Sequence, residues 1–177
     1  EGQTDGQRPI EVQQFYLRLA QRVLHLFTTR TVAGILYDVD LRLRPSGQAG
    51  LLVTQVSSFV RYLREDAWTW ELQALVRARP VFGVPALRDT VMDIRRSVLA
   101  QPRDEKELRQ SIVDMREKMR EHLTRKNSQM FDLKQDVGGI ADIEFITQYL
   151  VLRYADKYPE LCQYSDNIRL LTEAQQQ

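Results

Sequence analysis

From Ile10 to about Thr29 the residues Val12, Phe15, Tyr16, Leu19, Val23, Leu26 and Phe27 recur at intervals of three and four. That spacing collects them on one face of an α-helix and leaves Glu11, Gln14, Arg18, Arg22 and His25 on the other. Gly34 interrupts the pattern, and the period then changes to two. Ile35, Tyr37, Val39, Leu41 and Leu43 alternate with Leu36, Asp38, Asp40, Arg42 and Arg44. Strict alternation is the mark of a half-buried strand. Pro45, Ser46, Gly47 and Gly50 read as a turn, and Leu51–Val53 as a short return strand. The pattern predicts an antiparallel β-hairpin.

Helical spacing then resumes. Ser57 or Ser58 is placed to cap a helix running to about Glu65. Trp68 to Arg79 forms another, closed by Pro80 and Gly83, and Pro85 to about Ala100 a third. Pro102-Arg103-Asp104 breaks the pattern and sets the expected boundary between a domain over residues 1–102 and a second over 103–177. Asp104 opens a long helix to about Arg125, with Leu108, Ile112, Met115, Met119 and Leu123 as its stripe. Residues 125–139 read as a linker. Ile140 to about Asp156 is apolar nearly all round, which predicts the buried central helix of the second half. Tyr158-Pro159 ends it, and a last helix begins near Asp166. The expected class is α+β, mostly α: a helix and an antiparallel hairpin, followed by a helical bundle.

Composition narrows this picture little. Hydrophobic residues make up 43% and charged residues 28% of the chain, as in ordinary globular domains. Net charge is +1, from 25 basic and 24 acidic side chains, so neither nucleic acid nor an anionic membrane is expected as a partner. No apolar run approaches the roughly 18 residues of a membrane span. With polar first residues, no signal peptide is expected. The single cysteine, Cys162, excludes an intrachain disulfide and fits a reducing, cytoplasmic location. The chain starts without methionine and reads as a piece of something longer.

The candidate chemistry lies in the hairpin. Asp38, Asp40, Arg42 and Arg44 share one face of the alternating segment. A solvated polar face is the plain reading. Against it, aspartate is depleted in strands, and two at i and i+2 repel. A cation between them relieves that repulsion. Mg²⁺ takes one or two carboxylates and completes its shell with waters and phosphate oxygens. Arginine forks suit phosphate. Carboxylate, metal and arginine in a row match phosphoryl or nucleotidyl transfer. Elsewhere, Lys134 stands before Gly138-Gly139 and a helix start, where a phosphate can bind; a glycine turn that lets helices pack explains the same residues. Asp142 serves the helix dipole or pairs with an arginine. Asp142 and Glu144 lie about 200° apart around a helix and cannot share a ligand.

Four stretches carry a resemblance: GILYDVDLRLRPSGQAGLLV, AWTWELQALVRARPVFG, DMREKMR and FDLKQDVGGIADIEFITQYLVLRYA. In order and spacing, from about Phe15 onward, the chain resembles the C-terminal, adenylyl-transferring half of the glutamine synthetase adenylyltransferase/adenylyl-removing enzymes. The resemblance implies a polymerase-β-like nucleotidyltransferase domain over 1–102 and a helical domain over 103–177. It implies an enzyme that uses ATP and Mg²⁺ to place AMP on a tyrosine of glutamine synthetase, in nitrogen regulation with the PII signalling protein. Asp40 matches a metal-binding catalytic carboxylate, and Asp38 a weaker metal position. Arg42 and Arg44 fall beside the triphosphate or the protein substrate, and Lys134 at a phosphate. The family's Gly-Ser turn and Asp-x-Asp pair, which precede the helix at 10–29, do not occur here. The chain therefore reads as a fragment that does not transfer AMP by itself. A uridylyltransferase relative and a non-catalytic helical interaction module are the competing classes.

Overall fold

The computed structural model describes residues 2–123 and 130–177, with Gln48 described by its backbone. Seven α-helices run in chain order among these residues: α1 Val12–Thr28, α2 Val56–Glu65, α3 Thr69–Arg77, α4 Pro85–Leu99, α5 Glu105–Leu123, α6 Ile140–Tyr154 and α7 Asn167–Gln176. Two 3₁₀ turns join them, Gly47–Ala49 and Pro159–Cys162. Helical periodicity thus located every helix to within a few residues. The expected end of α5 near Arg125 and the first part of the 125–139 linker lie outside the described residues.

Local chemistry sets the helix ends. The Asp104 carboxylate accepts the Glu107 N–H at 2.9 Å at the start of α5. Asp166 accepts the Arg169 N–H at 3.0 Å at the start of α7. Glu71 reaches back to accept the Trp68 N–H at 2.9 Å before α3. Each satisfies a donor that the first helical turn leaves without a partner. Pro85 opens α4, where its missing N–H costs nothing.

The hairpin does not form. Among the described residues there is no strand and no sheet, so the α+β class and a nucleotidyltransferase domain built on a helix and a β-hairpin are both overturned. Isolated bridges join Gln3 to Glu11 and Thr31 to Gly34. The reason lies in the charged residues that drew attention to the segment. The Asp40 carboxylate takes the Arg42 N–H at 2.8 Å. The Arg44 guanidinium takes the carbonyls of Leu41 at 2.6 Å and Gly50 at 3.1 Å. Side chains thereby satisfy backbone groups that a ladder would need. The turn closes locally, with the Gly47 N–H on the Arg44 carbonyl at 2.8 Å and the Ser46 N–H on the Tyr62 hydroxyl at 3.1 Å. An isolated two-stranded ribbon is marginal in any case.

The chain divides into two compact units, one up to Tyr62 and one from Leu63 to Gln177. In the first, no described residue is buried. The apolar stripe of α1 is open, from 36% exposure at Phe27 to 69% at Leu26. The Tyr37 N–H donates to the Phe27 carbonyl at 3.0 Å, and the two rings meet edge to face at 5.6 Å, which fastens the charged segment to the end of α1.

The second unit has a core of Leu75, Val76, Ile94, Val98, Leu99, Leu108, Ile112, Val151, Leu152, Leu161 and Leu170. Helix α6 is central, packed against α3, α5 and α7. It is not buried all round, since Ile140, Ile143 and Ile146 remain exposed. Two arginines, Arg95 buried and Arg103 half-buried, tie helix ends together. Arg95, 2% exposed, donates to the carbonyls of Leu75, Val76, Cys162 and Tyr164. Arg103 donates to those of Val98, Leu99, Gln101 and Leu152. Each guanidinium satisfies carbonyls left over at helix C-termini and brings a positive charge to the negative dipole ends. Burial pushes both below the ordinary arginine range. No helix among the described residues is long and apolar enough to cross a membrane.

Candidate functional site

Asp38, Asp40, Arg42 and Arg44 come together after all, on an extended segment rather than a strand. With Val39 and Leu41 they line a surface depression of about 590 Å³ in the first unit. Asp40 is gripped by Arg42. Nε donates to both carboxylate oxygens at 3.0 Å, and Nη2 donates to Oδ2 at 2.6 Å. The Arg42 side chain, foremost, and the Arg42 N–H after it hold the Asp40 carboxyl down to about 2. The side chains of both residues are more than half exposed, so the pair is a surface contact that water and salt screen. Arg44 is different: its two carbonyl bonds fix a cation at one end of the depression. Asp38 is exposed.

This donor set fits Mg²⁺ as part of a shell. Asp38 and Asp40 offer the oxygen ligands that the ion prefers, and one or two carboxylates suffice when phosphate and water supply the rest. As the side chains stand, both Asp40 oxygens are committed to Arg42. Among the described residues no three Asp, Glu, His or Cys side chains converge as a complete metal cage.

Lys134 belongs to the second unit, in the loop before α6. Its N–H donates to Asp132 at 2.8 Å, its carbonyl accepts the Ala141 N–H at 3.1 Å, and the residue is exposed. The Gly138-Gly139 turn behind it is required by geometry. Gly138 has φ +85°, and a Cβ on Gly139 would stand 2.7 Å from the Leu133 carbonyl oxygen and 2.9 Å from that of Asp136.

The arginine partner of Asp142 is Arg116, on α5. Arg116 Nε donates to Asp142 Oδ1 at 2.6 Å, and Asp142 Oδ2 accepts the Gly138 N–H at 2.7 Å. That N–H first, and Arg116 after it, hold Asp142 below the usual carboxylate range. Glu144 points elsewhere and pairs with Arg77 at 3.0 Å, in keeping with the angular separation on α6. Sequence reasoning did not single out Arg116. Its partner is 26 residues away, and the one signal was its place in the DMREKMR stretch.

Residues 1–93, which include the whole charged segment, match the family described as glutamate-ammonia ligase adenylyltransferase. The chain is also 90% identical, over 176 residues and 99% of its length, to the bifunctional glutamine synthetase adenylyltransferase/adenylyl-removing enzyme of Idiomarina loihiensis. It spans 19% of that relative's length. With more than half of its residues inside the family match, the chain belongs to the glutamate-ammonia ligase adenylyltransferase family.

Proposed function

We propose that this chain is part of an enzyme that transfers AMP from ATP to a tyrosine of glutamine synthetase, with PII as a signalling partner. The observation that carries the reading is the gathering of Asp38, Asp40, Arg42 and Arg44 on one depression, in a chain 90% identical to an adenylyltransferase. Asp40 and Asp38 hold Mg²⁺ alongside the nucleotide. When bound, the ion polarises the phosphoryl group and favours the ionised form of the attacking hydroxyl. Arg42 keeps Asp40 ionised and oriented, and exchanges that contact for the triphosphate when nucleotide arrives. Arg44, anchored by the Leu41 and Gly50 carbonyls, supplies fixed positive charge where negative charge spreads in the transition state. Lys134, in the second unit, is a phosphate contact of its own loop before α6.

Two further observations support the reading of the chain as one portion of a larger catalytic assembly. The chain spans 19% of its relative, and the first unit leaves its apolar stripe uncovered. The remaining carboxylates then come from other segments of the longer protein. The test is AMP incorporation into glutamine synthetase from labelled ATP, using the full-length protein. Asp40→Asn is expected to lower the rate by about 10²–10³, the scale of losing one preorganised electrostatic contact at the reacting centre. Undiminished transfer removes Asp40 from the site. A preference for UTP over ATP points instead to a uridylyl-transferring relative.

A further inference from the structure

We propose that the groove between α5 and α6 is a binding site for a small amphiphilic anion, an apolar body ending in a carboxylate. The groove encloses about 480 Å³, within the size of ordinary small-molecule sites. Its walls are apolar: Val113 from α5, and Phe145, Ile146 and Tyr149 from α6. These positions recur at three and four along α6, so the cleft follows the helix and suits an elongated body.

The chemistry at its charged end asks for an anion. Arg116 is 6% exposed, and its Nη1 is buried with no acceptor. Its other nitrogens are used, Nε on Asp142 and Nη2 on the Gln135 carbonyl at 2.8 Å. One turn along, Arg120 reaches Asp142 with Nη2 at 3.5 Å, and its Nε is also buried without an acceptor. Native structures rarely leave a buried charged donor unmade, because its desolvation is not repaid. Asp142 cannot repay it, since it already serves Arg116, Arg120 and the Gly138 N–H. Around the groove, Arg109, Arg116 and Arg120 outnumber Glu117 and Asp142, so the lining carries one net positive charge. A carboxylate supplies the missing acceptors and neutralises that charge. Neither free nitrogen meets solvent as the side chains stand. Entry therefore requires the Arg120 side chain, 34% exposed, to swing outward.

The test uses the full-length protein and a matched pair of probes, 4-phenylbutyrate and 4-phenylbutan-1-ol, titrated by ligand-observed NMR. Saturable binding of the carboxylate is expected. The alcohol should bind about ten-fold more weakly, the scale of one charge-assisted hydrogen bond. Arg116→Met should erase the difference. Because that variant also strips Asp142 of its partner, Val113→Trp provides a second arm. Position 113 is 42% exposed, so the indole fills the groove without entering the core, and both probes should lose binding while helical content is unchanged. Absence of saturable binding, equal affinity for the two probes, or binding that survives Val113→Trp overturns the proposal. The first of these outcomes is the one expected if another segment of the longer protein already fills the groove.

Discussion

At the scale of single residues, two arginines show how setting decides what a charge does. Arg42 and Asp40 are both exposed, and their contact registers as a titration effect. The Asp40 carboxyl is held at about 2, below its ordinary 3.8, by the Arg42 side chain and then its N–H. The folded value lies below the unfolded one. The contact therefore supports the segment fully above the unfolded pKa of about 4 and is lost as pH falls through about 2. Carboxyl ¹³C titration is expected to follow that midpoint, and Arg42→Ala to raise it toward the ordinary value. An unchanged midpoint in the variant would assign the shift to another group. Arg95, in contrast, is enclosed. Replacing it with methionine leaves the carbonyls of Leu75, Val76, Cys162 and Tyr164 without their donor in a dry interior. A loss of about 3 kcal/mol or more is expected, as for other broken buried networks. Urea denaturation measures it. Arg95→Lys should recover only part, because an ammonium cannot serve four spread acceptors.

At the scale of elements, the helices were legible, and the hairpin that alternation predicted does not form. Residue spacing and nearby caps are sufficient to write a helix, because all of its backbone bonds are internal. Asp104 and Asp166 were readable as helix starts for that reason. Replacing Asp104 with alanine should cost about 1 kcal/mol of stability, readable as a lower thermal midpoint. A strand needs a partner, and alternation in residues 35–44 does not provide one. Asp40 and Arg44 drew attention for their charge, and that charge is what turns the backbone away from pairing. The start of α6 offers a sharper test. Gly139→Ala must push aside the Leu133 and Asp136 carbonyls. A cost of about 1–3 kcal/mol is expected, as for other overpacked sites. Faster amide exchange should be confined to the first turn of α6 and the Asp142 contacts. If exchange there is unchanged, the loop accommodates the methyl group and the crowding is without consequence.

At the scale of the whole molecule, the two units differ in what holds them. The second buries a contiguous core around α6, and the first buries no described residue. Most stability comes from apolar burial, so the difference has an observable consequence. In the 177-residue chain, hydrogen exchange should be slowest in α3, α4 and α6 and fast throughout α1. In the longer protein α1 should become protected, as other segments cover its stripe. Protection of α1 in the short chain would show that the unit stands by itself.

The amino-acid sequence by itself determined the positions and ends of the helices, the gathering of Asp38, Asp40, Arg42 and Arg44 along one short segment, and the divergence of Asp142 from Glu144. Each of these depends on neighbours within a few residues, and local spacing encodes them. Only the tertiary structure decided that the charged segment joins no sheet, that Arg116 is the partner of Asp142, that Arg95 and Arg103 lock helix ends, and that α1 and one side of α6 stay open. Those outcomes depend on which distant groups compete for the same hydrogen bonds and the same apolar surface, and that competition is settled only when the chain folds back on itself.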